Sequence, residues 1–430
     1  MSKTIKITKQ PQSIDEETTR CDSEGESPAT GSLLSCWTVM AKTMIGVGLL
    51  GLSCATAKCG WVLGLILLFI AGGSAMFTLH LLNCMIMQSG KRHVSFYSVS
   101  EQVAPWGKVV VDLAIAIKCL GVGTAYFQVY GSQLAIFIKE MNPSVLDAMS
   151  FFTLRAIIIV VGFLCMIPIC FRKRVSKTAI INVFGILGIS YIVFIGIAFT
   201  ETSNGVETSL WPVGSFAQIA AKIPIFIFTF TCHQNMFLVG EDMKDRSQPK
   251  LDGVAFLAEV VGCCLFLPAL ICPYLTYGAS VKSNFLESMT DNVQLDSNVA
   301  VMCGGLALAV AEISAFPLQL FPCRKSVIVL LTRARELSVK EETKFRRIVT
   351  SIILILTSII AIFVSDLGIT LALVGIIGSN TICFIMPSFL YCKAFPERKA
   401  KWYASATVFV ISTLLLPICL VAIIYVASGG

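Results

Sequence analysis

Three closely spaced glycines interrupt the first long apolar run of this sequence. Gly46, Gly48 and Gly51 lie between Met44 and Ser53, in a run otherwise long enough to cross a bilayer. Because glycine is a weak helix former, we predict that the helix unwinds here. Lipid cannot satisfy freed N–H and C=O groups, so such a break must face protein or a water-filled cavity. The break predicts a ligand site, with close helix packing as the alternative explanation. The residues predicted to line it are Gly46, Val47, Gly48, Leu49, Leu50 and Gly51.

A second apolar run, near residues 217–239, contains several polar residues at its centre. Paired interruptions at matching positions of two halves indicate the central site of a secondary transporter. Backbone N–H groups at the first break would donate hydrogen bonds to a carboxylate, and carbonyl groups at the second break would accept hydrogen bonds from an amine. A zwitterion would fit both. The residues predicted to line the second side are Thr229, Phe230, Thr231 and Cys232.

Lys42, Lys118 and Glu312 are ionisable side chains within apolar runs. Each costs roughly 2.5–3.5 kcal/mol there unless it is paired or hydrated. Lys42 and Glu312 both lie on the order of 10 Å from the same predicted membrane face, so they can pair. Such a pair is either purely structural, or it holds two helices together while one member exchanges a proton. We favour the proton-exchanging pair.

Lys118 and three further ionisable positions have competing explanations. His233 and Lys118 are possible proton relays, but for His233 a hydrogen-bonded structural role is favoured because no partner can be identified. Asp112 and Glu259 are predicted near span ends, where a long or flexible side chain can reach the membrane interface.

The whole chain is too apolar for a soluble domain and too long for a single span. Of its 430 residues, 56% are hydrophobic and 14% are charged. This composition predicts an all-α polytopic membrane protein. We expect a polar cytosolic N-terminal tail over residues 1–33 and a transmembrane domain over residues 34–427, with spans 1–5 in 34–199 and spans 6–10 in 217–391. The eleven predicted spans lie near residues 34–57, 61–87, 109–138, 152–171, 178–199, 217–239, 254–276, 298–321, 348–365, 369–391 and 403–427.

The basic residues test this division of the chain. Most of the 33 lysines and arginines lie in the tail and in every second connection. The positive-inside rule therefore predicts a cytosolic N-terminus and a C-terminus on the opposite side. This distribution explains the net charge of +7 without a nucleic-acid partner. Five spans per half, with breaks in spans 1 and 6, predict an inverted repeat with one extra helix.

Four motifs resemble those of the amino acid/auxin permease family, which includes sodium-coupled neutral amino acid transporters and fungal vacuolar amino-acid exporters. One motif, the run from Cys232 to Phe237, is most similar to the vacuolar branch, and this similarity implies proton-linked transport. The resemblance also implies the LeuT-type five-plus-five repeat. Tyr126, Gly121 and Gly123 in span 3 resemble positions that family members turn toward the central site. An ordinary packed aromatic ring beside small residues is the alternative. The motifs are Gly46–Ser53, Thr231–Phe237 with Lys244–Ser247, Tyr274–Gly278 and Pro317–Ser326.

The sequence departs from the sodium-coupled members of this family at two positions. Those members have an Asn four residues before the first motif glycine and a Thr two residues before the proline of span 8, and the resemblance implies that both bind sodium. Here Lys42 and Ala315 occupy these positions. A lysine ammonium can replace the charge of the ion, so we predict sodium-independent transport with H+ as the coupling ion.

The sequence thus predicts a secondary active transporter of amino acids that works by alternating access at spans 1 and 6. No enzyme activity, cofactor or metal is expected, and no Walker motif supports ATP-driven transport. An amino-acid sensor that does not transport and a sodium-coupled transporter are the alternatives. The expected partners are a small-molecule amino acid and the lipid bilayer. We expect a multi-pass protein of the vacuolar, lysosomal or plasma membrane.

Overall fold

The computed structural model describes residues 31–171, 178–201, 206–291, 299–332, 335 and 337–429. Most of the N-terminal tail predicted over residues 1–33 lies outside these residues. The described chain is built from helices, which confirms the all-α prediction. They are α1 Leu33–Met44, α2 Leu52–Cys59, α3 Trp61–Gln88, α4 Phe96–Val103, α5 Gly107–Met141, α6 Val145–Ala148, α7 Phe151–Cys170, α8 Thr178–Ala198, α9 Phe216–Ala220, α10 Ile223–Thr229, α11 His233–Asp242, α12 Gln248–Tyr277, α13 Phe285–Thr290, α14 Val299–Thr332, α15 Val339–Phe363, α16 Leu367–Leu373, α17 Met386–Ala394 and α18 Ala400–Ala427.

Ten helical stretches of the described chain are long and apolar enough to cross a membrane. Each coincides with one of the eleven predicted spans. The remaining prediction, near residues 178–199, coincides with α8, whose described apolar part Val183–Ala198 is shorter than the others. The ten stretches are Leu33–Cys59, Trp61–Gln88, Gly107–Met141, Phe151–Cys170, Phe216–Asp242, Gln248–Ser280, Val299–Thr332, Val339–Phe363, Leu367–Ala394 and Ala400–Ala427.

Polar capping residues fix where several of these helices begin. The side chains of Ser32, Ser150 and Asp366 accept hydrogen bonds from backbone N–H groups in the first turns of α1, α7 and α16. At α15, Ser338 and Glu341 form a reciprocal capping box. Such caps satisfy the backbone donors that a helix start leaves open. The apolar runs are therefore bounded by residues that stop the helices from extending.

Both predicted interruptions are present. We call Leu33–Cys59 the first broken span, because α1 and α2 are separated by Ile45, Gly46 and a 3₁₀ turn over Val47–Gly51. We call Phe216–Asp242 the second broken span, because α10 and α11 are separated by residues 230–232.

The two breaks lie against each other at Gly48. A β-carbon placed on Gly48 would be 3.1 Å from Thr229 Cα and 3.0 Å from Phe228 Cδ1. Only a residue without a side chain permits this approach. The close-packing explanation and the ligand-site explanation therefore both apply to this glycine.

Helices α5 and α14 pack along each other and form the centre of the bundle. Small residues allow this contact. A β-carbon on Gly123 would lie 2.8 Å from Phe316 Cε2, and one on Gly305 would lie 2.8 Å from Gln133 Oε1. Gly121 packs in the same way against Val374. For Gly121 and Gly123 the structure thus shows helix packing.

The stretch Leu367–Ala394 contains two π-helical segments, Val374–Ser379 and Thr381–Ile385. The sequence analysis did not predict them. Gly375, in the first segment, lies directly against the backbone carbonyl of Pro224 in α10. The widened helix is therefore packed against the second broken span, and π-helical segments often occur beside functional sites.

Half-helices α1 and α11 run antiparallel and are joined at both ends. At one end Gly31 and Met243 form a parallel β-bridge, with Gly31 N donating to Asp242 O at 3.0 Å and Lys244 N donating to Gly31 O at 3.0 Å. At the other end Asn235 Nδ2 donates to Thr43 Oγ1 at 2.6 Å. The two half-helices therefore form one connected unit.

Candidate functional site

A small cavity of about 10 Å³, the space of roughly one water molecule, lies where the two breaks meet α5 and α14. In this conformation it is too small to hold an amino acid. Of the predicted site residues, it brings together Gly46, Val47, Gly48, Lys118, Tyr126 and Thr231. The residues that line it are Thr43, Met44, Gly46, Val47, Gly48, Lys118, Val122, Tyr126, Phe228, Thr231 and Gln319.

The two breaks present complementary backbone groups. At the first break, the N–H groups of residues 46–48 have no backbone acceptor among the described residues. At the second break, the carbonyl groups of residues 229–231 receive no backbone donor from the described part of the chain. Buried backbone groups are nearly always paired, so an unpaired set of each kind at one cavity is a ready-made polar ligand site.

Side chains of α5 and α14 form a polar chain along the cavity wall. Lys118 Nζ donates to Gln319 Oε1 at 3.2 Å, and Gln319 Nε2 donates to Tyr126 Oη at 3.4 Å. Lys118 is 2% exposed and Tyr126 is 5% exposed, so these groups are sheltered from the surface. Tyr126, which the resemblance turns toward the central site, borders the cavity. Lys118, a possible proton relay from sequence, lies in the ligand cavity itself.

Six residues predicted to line the site do not border this cavity. Leu49 and Leu50 are buried in the core. A β-carbon on Gly51 would meet Leu371 and Ile225, which are side chains of neighbouring helices. The residues of the first break beyond Gly48 therefore belong to the packing of the fold.

The other three lie at the second break, where the turn of the chain directs them away from the cavity. Thr229 Oγ1 donates to Ile225 O at 2.8 Å. Phe230 packs edge-on against Phe266, with ring centroids 5.2 Å apart. Cys232 is fully buried and does not border the cavity. In this conformation Thr229, Phe230 and Cys232 do not border the cavity, and Thr231 is the residue between α10 and α11 that does.

Lys42 and Glu312 are both buried, at 5% and 0% exposure. They do not form the predicted direct ion pair in this conformation, because neither Lys42 Nζ nor either Glu312 oxygen has a hydrogen-bond partner among the described residues. The Lys42 side chain instead lies against Gly185 of α8, where an added β-carbon would be 3.0 Å from Nζ. Lys42 is nevertheless the charged group that acts on Glu312. Ala315, one turn further along α14, is also buried.

His233 begins α11 and is fully buried. Its Nε2 is 2.9 Å from Thr78 Oγ1, which itself bonds the carbonyl of Ser74 at 2.9 Å. The imidazole also meets the Phe384 ring edge-on at 6.5 Å. These contacts tie the second broken span to α3. They fit the structural role favoured from sequence.

Glu259 and Asp112 are both buried among the helices. Glu259 is 6% exposed, and both carboxylate oxygens are buried without a hydrogen-bond partner in the described chain. Asp112 is also 6% exposed, and its Oδ1 accepts from Ser326 Oγ at 2.9 Å. Neither side chain therefore extends to the surface of the protein. Helix α12 begins at Gln248, before the predicted start of the span.

Five lining residues were missed from sequence: Thr43, Met44, Val122, Phe228 and Gln319. Gln319 could have been predicted from the sequence, because it follows Glu312 by two helical turns and therefore lies on the same face of α14. Val122 lies one turn from both Lys118 and Tyr126 on α5. The remaining three adjoin predicted positions at the two breaks.

The fold and the cavity define a multi-pass helical membrane protein with a polar site at two broken spans. Residues 29–428 match the family model of the transmembrane amino acid transporter proteins, and the chain belongs to this family.

Two relatives are vacuolar proteins by name. Vacuolar amino acid transporter 5 of Schizosaccharomyces pombe is 29% identical over 355 residues, which cover 82% of each chain. Vacuolar amino acid transporter 5 of Saccharomyces cerevisiae is 25% identical over 395 residues, covering 80% of this chain and 85% of the relative.

Proposed function

We propose that this protein is a sodium-independent, proton-linked secondary transporter of amino acids, which works by alternating access at the two broken spans. One observation carries the proposal. The cavity is bordered on one side by the N–H groups of residues 46–48 and on the other by the carbonyl group of Thr231, none of which has a backbone partner among the described residues.

This arrangement suits the two charged groups that every amino acid shares. The carboxylate would accept hydrogen bonds from the N–H groups of residues 46–48. The ammonium would donate to the carbonyl group of Thr231. Because Gly48 approaches Thr229 so closely, both sets of groups are within reach of substituents on a single α-carbon.

We infer sodium independence from the two residues that occupy the positions of the family's sodium ligands. Lys42 places an amine-bearing side chain there instead of an oxygen ligand, and Ala315 has no side-chain oxygen to coordinate an ion. The Lys42 side chain is 5% exposed and is enclosed between α1 and α8. A fixed ammonium in this enclosure would repel a sodium ion.

Proton coupling is assigned to Glu312. Its carboxylate is fully buried, has no hydrogen-bond donor among the described residues, and is influenced by Lys42. It also lies within electrostatic range of Tyr126, which borders the cavity. Loss or gain of a proton at Glu312 would therefore change both the attraction between α14 and α1 and the polarity of the cavity wall.

The names of the two relatives suggest the compartment. We place the protein in the vacuolar membrane, with its N-terminus in the cytosol as the basic residues predict. An acidic vacuole would supply the proton gradient that drives net transport.

Uptake by purified protein in proteoliposomes tests the proposal. Labelled amino acid should accumulate above the equilibrium volume when a pH gradient is imposed, equally well in sodium or choline buffer. Glu312→Gln and Lys42→Ala should abolish the accumulation driven by the pH gradient. Glu259→Gln is the matched control, because it removes another buried carboxylate that has no hydrogen-bond partner among the described residues, and Lys42 acts on Glu312 but not on Glu259.

Three results would contradict the proposal in different ways. A requirement for sodium would identify a sodium-coupled transporter. Binding without accumulation would identify a sensor. Proton coupling that survives Glu312→Gln but is lost in Glu259→Gln would show that Glu259, and not Glu312, exchanges the proton.

A further inference from the structure

We propose that the transported amino acids carry an anionic side chain, and that Lys118 recognises it. This inference rests on the proposed function and specifies the substrate class of the same cavity. Lys118 is the one charged residue among those that line the cavity.

The Lys118 ammonium has unused bonding capacity. It can donate three hydrogen bonds, and it makes one, to Gln319 Oε1 at 3.2 Å. Within the described ranges no carboxylate lies within ion-pair distance of it. The titratable groups that act on it are the thiols of Cys119, Cys232 and Cys383. As an ammonium, Lys118 would therefore have no carboxylate to balance its charge among the described residues.

Charge balance then distinguishes between substrate classes. A zwitterion with a neutral side chain is neutral overall, and both of its charges are already occupied by the two breaks. It would leave the Lys118 charge unpaired in the cavity. A side-chain carboxylate would pair with it, whereas a basic side chain would add a like charge in a sheltered, weakly polarisable site.

The position of Lys118 agrees with this role. The breaks hold the α-carboxylate and α-ammonium, so the side chain of a bound amino acid must extend toward the α5 wall. Lys118, Val122 and Tyr126 are spaced four residues apart and therefore lie on one face of α5.

Competition for uptake in proteoliposomes tests the inference. L-Aspartate and L-glutamate should compete at least about tenfold better than L-asparagine and L-glutamine, since a charge-assisted hydrogen bond contributes at least this much. L-Lysine and L-arginine should not compete. Similar competition by acids and amides would overturn the inference while leaving the proposed transport function intact. Absence of uptake for any amino acid would instead overturn the proposed function.

Two variants separate recognition from a general defect, because the readout is a ratio within each protein. Lys118→Met should bring the ratio of acid to amide competition close to one, whereas Lys118→Arg should retain a preference for the acids. Lys222→Met, a lysine outside the cavity, is the control and should keep the wild-type ratio. A wild-type ratio in Lys118→Met would refute the role of Lys118. If Lys118→Met does not fold, the comparison of acids with amides in the unmodified protein still decides the substrate class.

Discussion

Single methyl groups added at Gly46 and Gly48 should separate ligand binding from helix packing. At Gly46 no heavy atom lies within 4 Å of an added β-carbon. At Gly48 that carbon would be 3.0 Å from Phe228 Cδ1 and 3.1 Å from Thr229 Cα. Carbon atoms normally pack at about 3.5–4.0 Å, so the neighbours of Gly48 must move by several tenths of an ångström. Thr229 Cα is main chain and cannot simply rotate away.

The two variants should therefore fail for different reasons. Overpacking costs about 1–3 kcal/mol, so Gly48→Ala should lower the melting temperature of the purified protein. Gly46→Ala should melt like the unmodified protein. Its methyl group would, however, stand beside the N–H groups assigned to the substrate carboxylate. Loss of one charge-assisted hydrogen bond, about 1.5–3 kcal/mol, corresponds to roughly 10- to 100-fold weaker binding.

Thermal unfolding in detergent and substrate affinity from uptake measure the two effects. Gly73→Ala on α3 is the matched control, since Gly73 is exposed and no atom lies within 4 Å of its added β-carbon. It should change neither quantity. The reasoning would be refuted by Gly46→Ala with unchanged affinity, or by Gly46→Ala that destabilises the protein as much as Gly48→Ala does.

Two further predictions concern stability and topology. Arg155 Nη2 donates to Ala361 O at 2.7 Å and Nη1 to Ile362 O at 3.3 Å, so Arg155→Ala should lower the free energy of unfolding by about 1–3 kcal/mol. An unchanged melting temperature, equal to that of the exposed control Lys139→Ala, would show that these bonds do not stabilise the end of α15. Protease protection of terminal tags should place the N-terminus in the cytosol and the C-terminus on the other side of the membrane. Both tags on one side would contradict the five-plus-five repeat.

The breaks could be predicted from sequence because their cause is local. Clustered glycines and a polar stretch weaken a helix whatever surrounds it, and the structure has breaks at both places. No local sequence pattern predicts the residues of the opposite wall of the cavity. Lys118 and Gln319 are 201 residues apart in sequence, and their contact depends on how α5 and α14 are aligned.

The direction of the side chains within a break could not be predicted from the sequence either. Residues 230–232 leave the helical conformation, so the usual helical spacing does not say which side chains face the ligand. Phe228 borders the cavity, whereas Phe230 packs against Phe266. Both are phenylalanines in the same apolar run, and only the backbone path distinguishes them.

The bridge between Gly31 and Met243 connects the chain before α1 to both sides of the site. Because α1 and α11 are joined at each end, a load applied at Gly31 acts on two walls of the cavity together. This has a practical consequence for engineering. A fluorescent protein or affinity handle fused directly at Gly31 would compete with the bridge and strain the binding site. One fused after α18, a helix that contributes no residue to the cavity, would leave the site undisturbed.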